Sequence, residues 1–359
     1  MTETQNNTEN QQDDSNSNLV SGSKRNPLMI VIQIVGFAAS IALLGWAVKT
    51  AMSPENREQL SKLSEATPSE LLILMTLAAI SVGFNGIIFW VVINPVQRLR
   101  TTDVIATNAI ATFLAYLPFK LSVISRFVIH NRRDQVPVMT IGAWLLAEAI
   151  LMMAVFVPVG LISWWQGGIT PIWWITTLVS IVLCTLIGSW FAGKLGGQQS
   201  IDWLAKLTGK KFAQSDSFTR LHSVFEMLSN SKATLIGNGF RLLDIFAFAL
   251  RFYIAARVLD LPISSADSLL LGATYFMIGA VSPFGMLGTR EAGTIAVASL
   301  VGISSAAITK DESGTVPIAA TVLFVTAVEA LVNLGCAGFG IAWLRLRPAL
   351  KPPQDTPSV

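Results

Sequence analysis

Six runs of about twenty or more mostly apolar residues recur along the chain: Pro27 to Val48, Leu71 to Ile93, Pro137 to Ser163, Trp173 to Ala192, Ala233 to Ala256 and Pro317 to Leu344. At ~1.5 Å per helical residue, each is long enough to cross the ~30 Å hydrocarbon core of a bilayer. Only 13% of the 359 residues are charged and 52% are hydrophobic, where a soluble domain carries about 25% charged residues. The expected fold is therefore an all-α polytopic membrane protein with six full transmembrane helices. The longest piece between apolar segments, Lys194 to Lys232, is about 40 residues and too short for a soluble enzyme domain.

Two further apolar segments are interrupted. Ala280 to Val301 holds Pro283, Gly285, Gly288 and Gly293 with Arg290 and Glu291 side by side, and Tyr116 to Arg126 holds Pro118, Lys120, Ser122, Ser125 and Arg126. Breakers and charges at bilayer depth are costly and persist where they face protein or a water-filled cavity. Each interrupted segment is read as a broken re-entrant helical hairpin, the first over Val104 to Ile129 and the second over Ser264 to Gly302.

Loop charges set the orientation. If Val104 to Ile129 crossed fully, the patch Asn131-Arg132-Arg133 would lie outside and every later loop would invert; a re-entrant hairpin keeps it inside. Fifteen of the 25 Lys and Arg then fall on the cytoplasmic side and five outside, which satisfies the positive-inside rule with both termini cytoplasmic. The Trp-rich outer loop W-W-Q-G-G-I-T-P-I-W-W suits the headgroup region. Span, hairpin, span occurs twice in opposite sense, the arrangement of an inverted repeat, and each closing span carries a glutamate, Glu148 or Glu329. The expected organisation is a disordered cytoplasmic tail over 1–26, a transmembrane domain over 27–345 with a cytoplasmic amphipathic connector at 193–232, and a tail over 346–359. Within the connector, Phe218, Leu221, Val224, Phe225 and Leu228 keep helical spacing beside Lys206, Lys210 and Lys211. That suits either an interfacial helix on anionic lipid or a connector packed on the bundle.

The charges left inside apolar segments are Lys120, Arg126, Arg241, Arg251 and Arg290 with Glu148, Asp244, Glu291 and Glu329. Arg241 and Asp244, three apart on a helix, can neutralise each other. Arg290 and Glu291 point in different directions and need separate partners. Near the break before Arg290, freed N–H groups at the start of the half-helix can hold an anion, and the guanidinium adds a bidentate donor for phosphate. The same logic gives Ser122, Ser125 and Arg126 after Pro118, with Lys120 as a point charge. The glycines have a simpler alternative, close helix packing, which suits Gly293 best. Cys184 and Cys336 read as small buried hydrophobes, and His130 and His222 are isolated, so no metal site or cofactor is expected.

At these residues the chain resembles the lysylphosphatidylglycerol synthase transmembrane-region family, the flippase-like domain family, over roughly 27 to 345. Pro283, Gly285, Gly288, Arg290 and Glu291 match the family's Pro, Gly and Glu segment near its C-terminal end, and Pro118 and Arg126 match its first-half motif. Ser122 stands where a glycine is usual and Val123 where an acidic residue is common, while Ala149 and Met152 replace the charges that follow the family's glutamate at Glu148. The resemblance implies lipid translocation or handling. Because the chain ends at Val359, without the soluble aminoacyl transferase domain of well-known members, lipid aminoacylation by this polypeptide alone is not expected.

The leading expectation is a non-enzymatic flippase-like protein of the plasma or inner membrane that moves an anionic phospholipid or polyprenyl-phosphate carrier between leaflets. Arg290 and Arg126 would bind phosphate, and Glu291, Glu148 and Glu329 would reset or protonate the site. A secondary transporter for a small anion shares the broken-helix logic, and an intramembrane lipid-modifying enzyme or a scaffold are further alternatives. Anionic membrane lipids are the expected partners and nucleic acid is not; a partner in lipid or cell-envelope synthesis, and a homo-oligomer, are left open.

Overall fold

The computed structural model describes residues 27–52, 61–117, 120–166, 168–196, 216–282, 285–301, 303 and 318–347. Among these residues there are eleven α-helices and no strand. They are α1 (Pro27–Ala51), α2 (Pro68–Ile93), α3 (Thr101–Leu114), α4 (Leu121–Arg132), α5 (Val138–Gln166), α6 (Pro171–Leu195), α7 (Asp216–Ser229), α8 (Ser231–Val258), α9 (Ser265–Val281), α10 (Thr289–Val301) and α11 (Ile318–Leu346). Five of them, α2, α5, α6, α8 and α11, are long and apolar enough to cross a membrane. In α1 the described apolar stretch is shorter, Ile34–Thr50. The expected tail at 1–26, all but the first two residues of the expected tail at 346–359, most of the basic loop at 197–215, and Pro118 and Pro283 lie outside the described residues.

Local sequence explains where several helices begin. Thr67 and Glu70 form a reciprocal capping box ahead of Pro68 in α2, and Ser264 with Asp267 does the same for α9. Thr170 accepts the Trp173 N–H at the start of α6, and Asn230 accepts the Ala233 N–H at the start of α8. Each cap satisfies donors that a helix N-terminus leaves open. The outer face of α6 exposes Ile175, Val179, Val182, Leu186 and Trp190, as a helix bathed in lipid tails does.

Both interrupted segments fold back on themselves. Asp103 at the start of α3 pairs with Arg133 just past the end of α4 at 3.2 Å, and Arg126 in α4 donates to Asn108 in α3. In the second pair, α10 lies so close to α9 that a Cβ on Gly293 would stand 2.6 Å from the Ile278 side chain. The two turns touch tip to tip, the Met286 N–H donating to the Ala115 carbonyl at 3.0 Å. Behind the second turn lies α1: at Gly288, where φ is +83°, an added Cβ would fall 1.8 Å from the Ser40 carbonyl oxygen. Glycine is required there for its left-handed conformation and for the approach of α1.

The order long, short, short, long over α2, α3, α4 and α5 recurs over α8, α9, α10 and α11, and α2 and α8 pack along each other. The two sets differ at one seam: α11 packs closely along α3, whereas α5 and α9 keep their backbones farther apart and meet through side chains such as Phe156 and Phe276. The amphipathic helix α7 lies on the bundle, not free at the lipid surface: Val224 and Met227 join a buried cluster with Ile88, Trp144 and Ala192. Its apolar face is therefore spent on protein.

Candidate functional site

Two polar clusters hang on α8, ten residues apart, a rise of about 15 Å. In the first, Arg241 donates to Glu148 of α5, to Asp244 at 3.1 Å and to Asn85 of α2 at 2.7 Å. Asp244 also accepts from Ser81 and, at 2.8 Å, from Asn85. Arg126 stands nearby, hydrogen-bonded to Asn108 and 4.2 Å above the Phe89 ring. These spans satisfy buried charge by pairing and by borrowed amides and hydroxyls, as a low-dielectric interior demands.

The second cluster centres on Glu329 of α11. Its two oxygens accept from Arg251 Nη1 and Arg290 Nη1, each at 2.9 Å, and the Tyr116 hydroxyl donates to it at 3.0 Å. Arg290 lies 3.9 Å from the Tyr275 ring centre and reaches Glu291 at 3.4 Å. Glu291 in turn accepts from the Gly288 N–H at 2.5 Å and from Thr326 at 3.0 Å. Across both clusters four guanidiniums face four carboxylates.

Between the hairpin tips and α8 lies a cavity of about 290 Å³. Of the residues expected from sequence, Lys120, Ser122, Arg126, Glu148, Arg241, Gly285 and Glu329 line it; Gly288, Arg290, Glu291 and Asp244 stand behind the wall. Three expectations about the second half change. Arg290 does not present a free fork: it is fully buried and spent on Glu329 and Glu291. The start of α10 is not open to an anion either, because the Glu291 carboxylate folds back onto the Gly288 N–H and fills that position. Nor are the partners of Arg290 and Glu291 separate, since the two side chains also touch each other.

The expected Arg241–Asp244 pair forms, with Glu148 added as a second carboxylate. Arg251 also lines the cavity, together with Asn85, Asn108 and Asn333. Sequence marked Arg251 only as a charge in an apolar run; uncharged amides in such runs give no signal until their partners are known. Among the described residues no group of three or more His, Cys, Asp or Glu is placed to hold a metal ion.

A family model described as the lysylphosphatidylglycerol synthase TM region matches residues 33–310. No curated protein and no solved structure matches the chain.

Proposed function

Because this membrane protein belongs to the lysylphosphatidylglycerol synthase transmembrane-region family, we propose that it holds the phosphate-bearing headgroup of an anionic lipid between its hairpin tips and moves that lipid between leaflets. The observation that carries the reading is a basic cavity set beside a seam between two helices that is closed by apolar side chains alone. Lys120, Arg126, Arg241 and Arg251 line the cavity against Glu148 and Glu329. Helices α5 and α9 both border it and meet through side chains, Phe156 against Phe276, with their backbones held apart.

Further along that seam a second cavity of about 440 Å³ is walled by Phe156, Val159, Leu269, Ala273 and Met277. Phe156 and Phe276 stack across the seam with ring centres 5.2 Å apart, between the polar cavity and the apolar one. An apolar way out between helices suits a molecule with acyl chains and favours lipid over a small anion, for which a closed aqueous vestibule suffices. In this reading α1 is a sixth span, the hairpins enter from opposite faces and meet near mid-depth, and both termini are cytoplasmic. Arg126, with a single hydrogen-bond partner at the cavity wall, contacts the headgroup, and Arg290 positions Glu329. Loading or unloading by a partner protein of lipid or envelope synthesis, and self-association, are both compatible with it.

Lipid scrambling in proteoliposomes is the test, across anionic, zwitterionic and polyprenyl-phosphate lipids, wild type beside Arg126→Gln. Selective movement of an anionic lipid, lost in the variant, is expected. Movement of no lipid by the wild type, or equal movement by both proteins, would refute the proposal.

A further inference from the structure

Of the arginines in the two clusters, only Arg251 keeps buried donors without a partner among the described residues. Its Nη1 is bound to Glu329 at 2.9 Å, but Nε and Nη2 have no hydrogen-bond partner, and the residue is 2% exposed. Arg241 and Arg290, by contrast, have no unpartnered buried nitrogen. Such orphaned donors are uncommon and costly, so their presence calls for something that satisfies them.

The two orphans are not scattered. Nε–H and Nη2–H form one edge of the guanidinium, two parallel donors whose spacing matches two oxygens of a single phosphate or carboxylate. The Phe248 ring lies 3.8 Å from the guanidinium carbon and covers one face, and Glu329 holds the opposite corner. Ring and carboxylate together fix the fork before any ligand arrives. Arg251, Phe248 and Glu329 all line the polar cavity.

Charge narrows the ligand. The four guanidiniums and four carboxylates of the clusters balance, which leaves Lys120 as the surplus cation; it and Arg126 both line the cavity with no ion pair among the described residues. One surplus positive charge matches a singly charged phosphodiester better than a doubly charged monoester, whose second charge would be left uncompensated in a low-dielectric site. We propose that the Nε–Nη2 edge of Arg251 is a phosphate fork that takes two non-bridging oxygens of a phosphodiester monoanion. This rests on the reading of the cavity as a headgroup site and names the contact and the class of headgroup.

The test uses the full chain in neutral detergent and measures binding of dihexanoyl phosphatidylglycerol, dihexanoyl phosphatidic acid, dihexanoylglycerol, glycerol 3-phosphate and inorganic phosphate. Arg251→Lys keeps a cation for Glu329 and removes the fork. Expected are preference for the diester over the monoester and at least a tenfold loss of diester affinity in Arg251→Lys, with dihexanoylglycerol binding unchanged. Should that variant not elute as a single species, Arg251→Gln, which keeps a donor for Glu329, carries the same comparison. Equal diester affinity in wild type and variant overturns the fork. Inorganic phosphate or glycerol 3-phosphate binding as tightly as the lipid, and lost in Arg251→Lys, keeps the fork but overturns the lipid as its ligand. Fork-dependent binding by a protein that scrambles no lipid leaves the inference standing while the transport reading falls.

Discussion

Replacing Glu329 by Gln removes the carboxylate shared by two buried arginines. Arg290 keeps Glu291, 3.4 Å away, and the Tyr275 ring, whereas Arg251 loses its only ion-pair partner among the described residues. Breaking a buried pair from one side leaves an uncompensated charge and costs about 3–5 kcal/mol. Most of that loss should fall on Arg251, because its Nε and Nη2 are already without partners. The cost is a sizeable share of the roughly 5–15 kcal/mol that holds a typical protein folded. Adding Arg251→Met to Glu329→Gln removes the stranded charge, and the double variant should regain about 1–3 kcal/mol, a coupling of the size found between contacting residues. Reversible unfolding in mixed micelles, extrapolated to zero denaturant, measures both. A loss below about 1 kcal/mol in Glu329→Gln, or a double variant no more stable than the single, would refute the pairing argument.

Gly288→Ala should cost about 2–5 kcal/mol, combining left-handed strain with the clash against α1, while Gly335→Ala, with no atom within 4 Å of the new methyl, should be neutral or slightly stabilising; melting temperatures of the two compare them directly. In α7, outside the spans, desolvation lowers the His222 pKa from its ordinary 6.5, outweighing the backbone hydrogen bond at Leu195 that raises it. Below pH 6.5 the unfolded chain therefore binds the proton more readily, so stability is full above that pH and falls as pH drops toward the folded value. His222→Gln should flatten that acid branch of a pH series of melting temperatures. A cysteine at Arg132, an exposed position at the base of the first hairpin, should be labelled by impermeant maleimide only from the cytoplasmic side; labelling from outside would contradict the re-entrant arrangement.

The five long helices and the positions of the two breaks were legible because they depend on local signals: apolar run length, Pro and Gly punctuation, and caps such as Thr67–Glu70. The Arg241–Asp244 pair was legible for the same reason, being three residues apart on one helix. What joins Glu329 to Arg251 and Arg290 is separation by 78 and 39 residues, and composition carries no record of which distant charges meet. The capture of the Gly288 N–H by Glu291 is local, yet the same residues suit an anion-binding helix start equally well; only the side-chain geometry separates a filled terminus from an open one. The amphipathic spacing of α7 likewise identified a helix with one apolar face but not what that face would meet.

The Met286–Ala115 hydrogen bond joins the very segments that, in the proposed function, part for a headgroup to pass between the hairpins. Both partners are backbone atoms, so evolution cannot weaken the bond simply by changing a side chain. Separating them in a dry interior strands a donor and an acceptor, at roughly 1–3 kcal/mol for each. A headgroup oxygen passing the tip can take over the Met286 N–H, and an empty cavity offers nothing in exchange. Under the proposed transport function, opening is then easier for the loaded protein than for the empty one, which keeps the membrane sealed to protons and small ions between events.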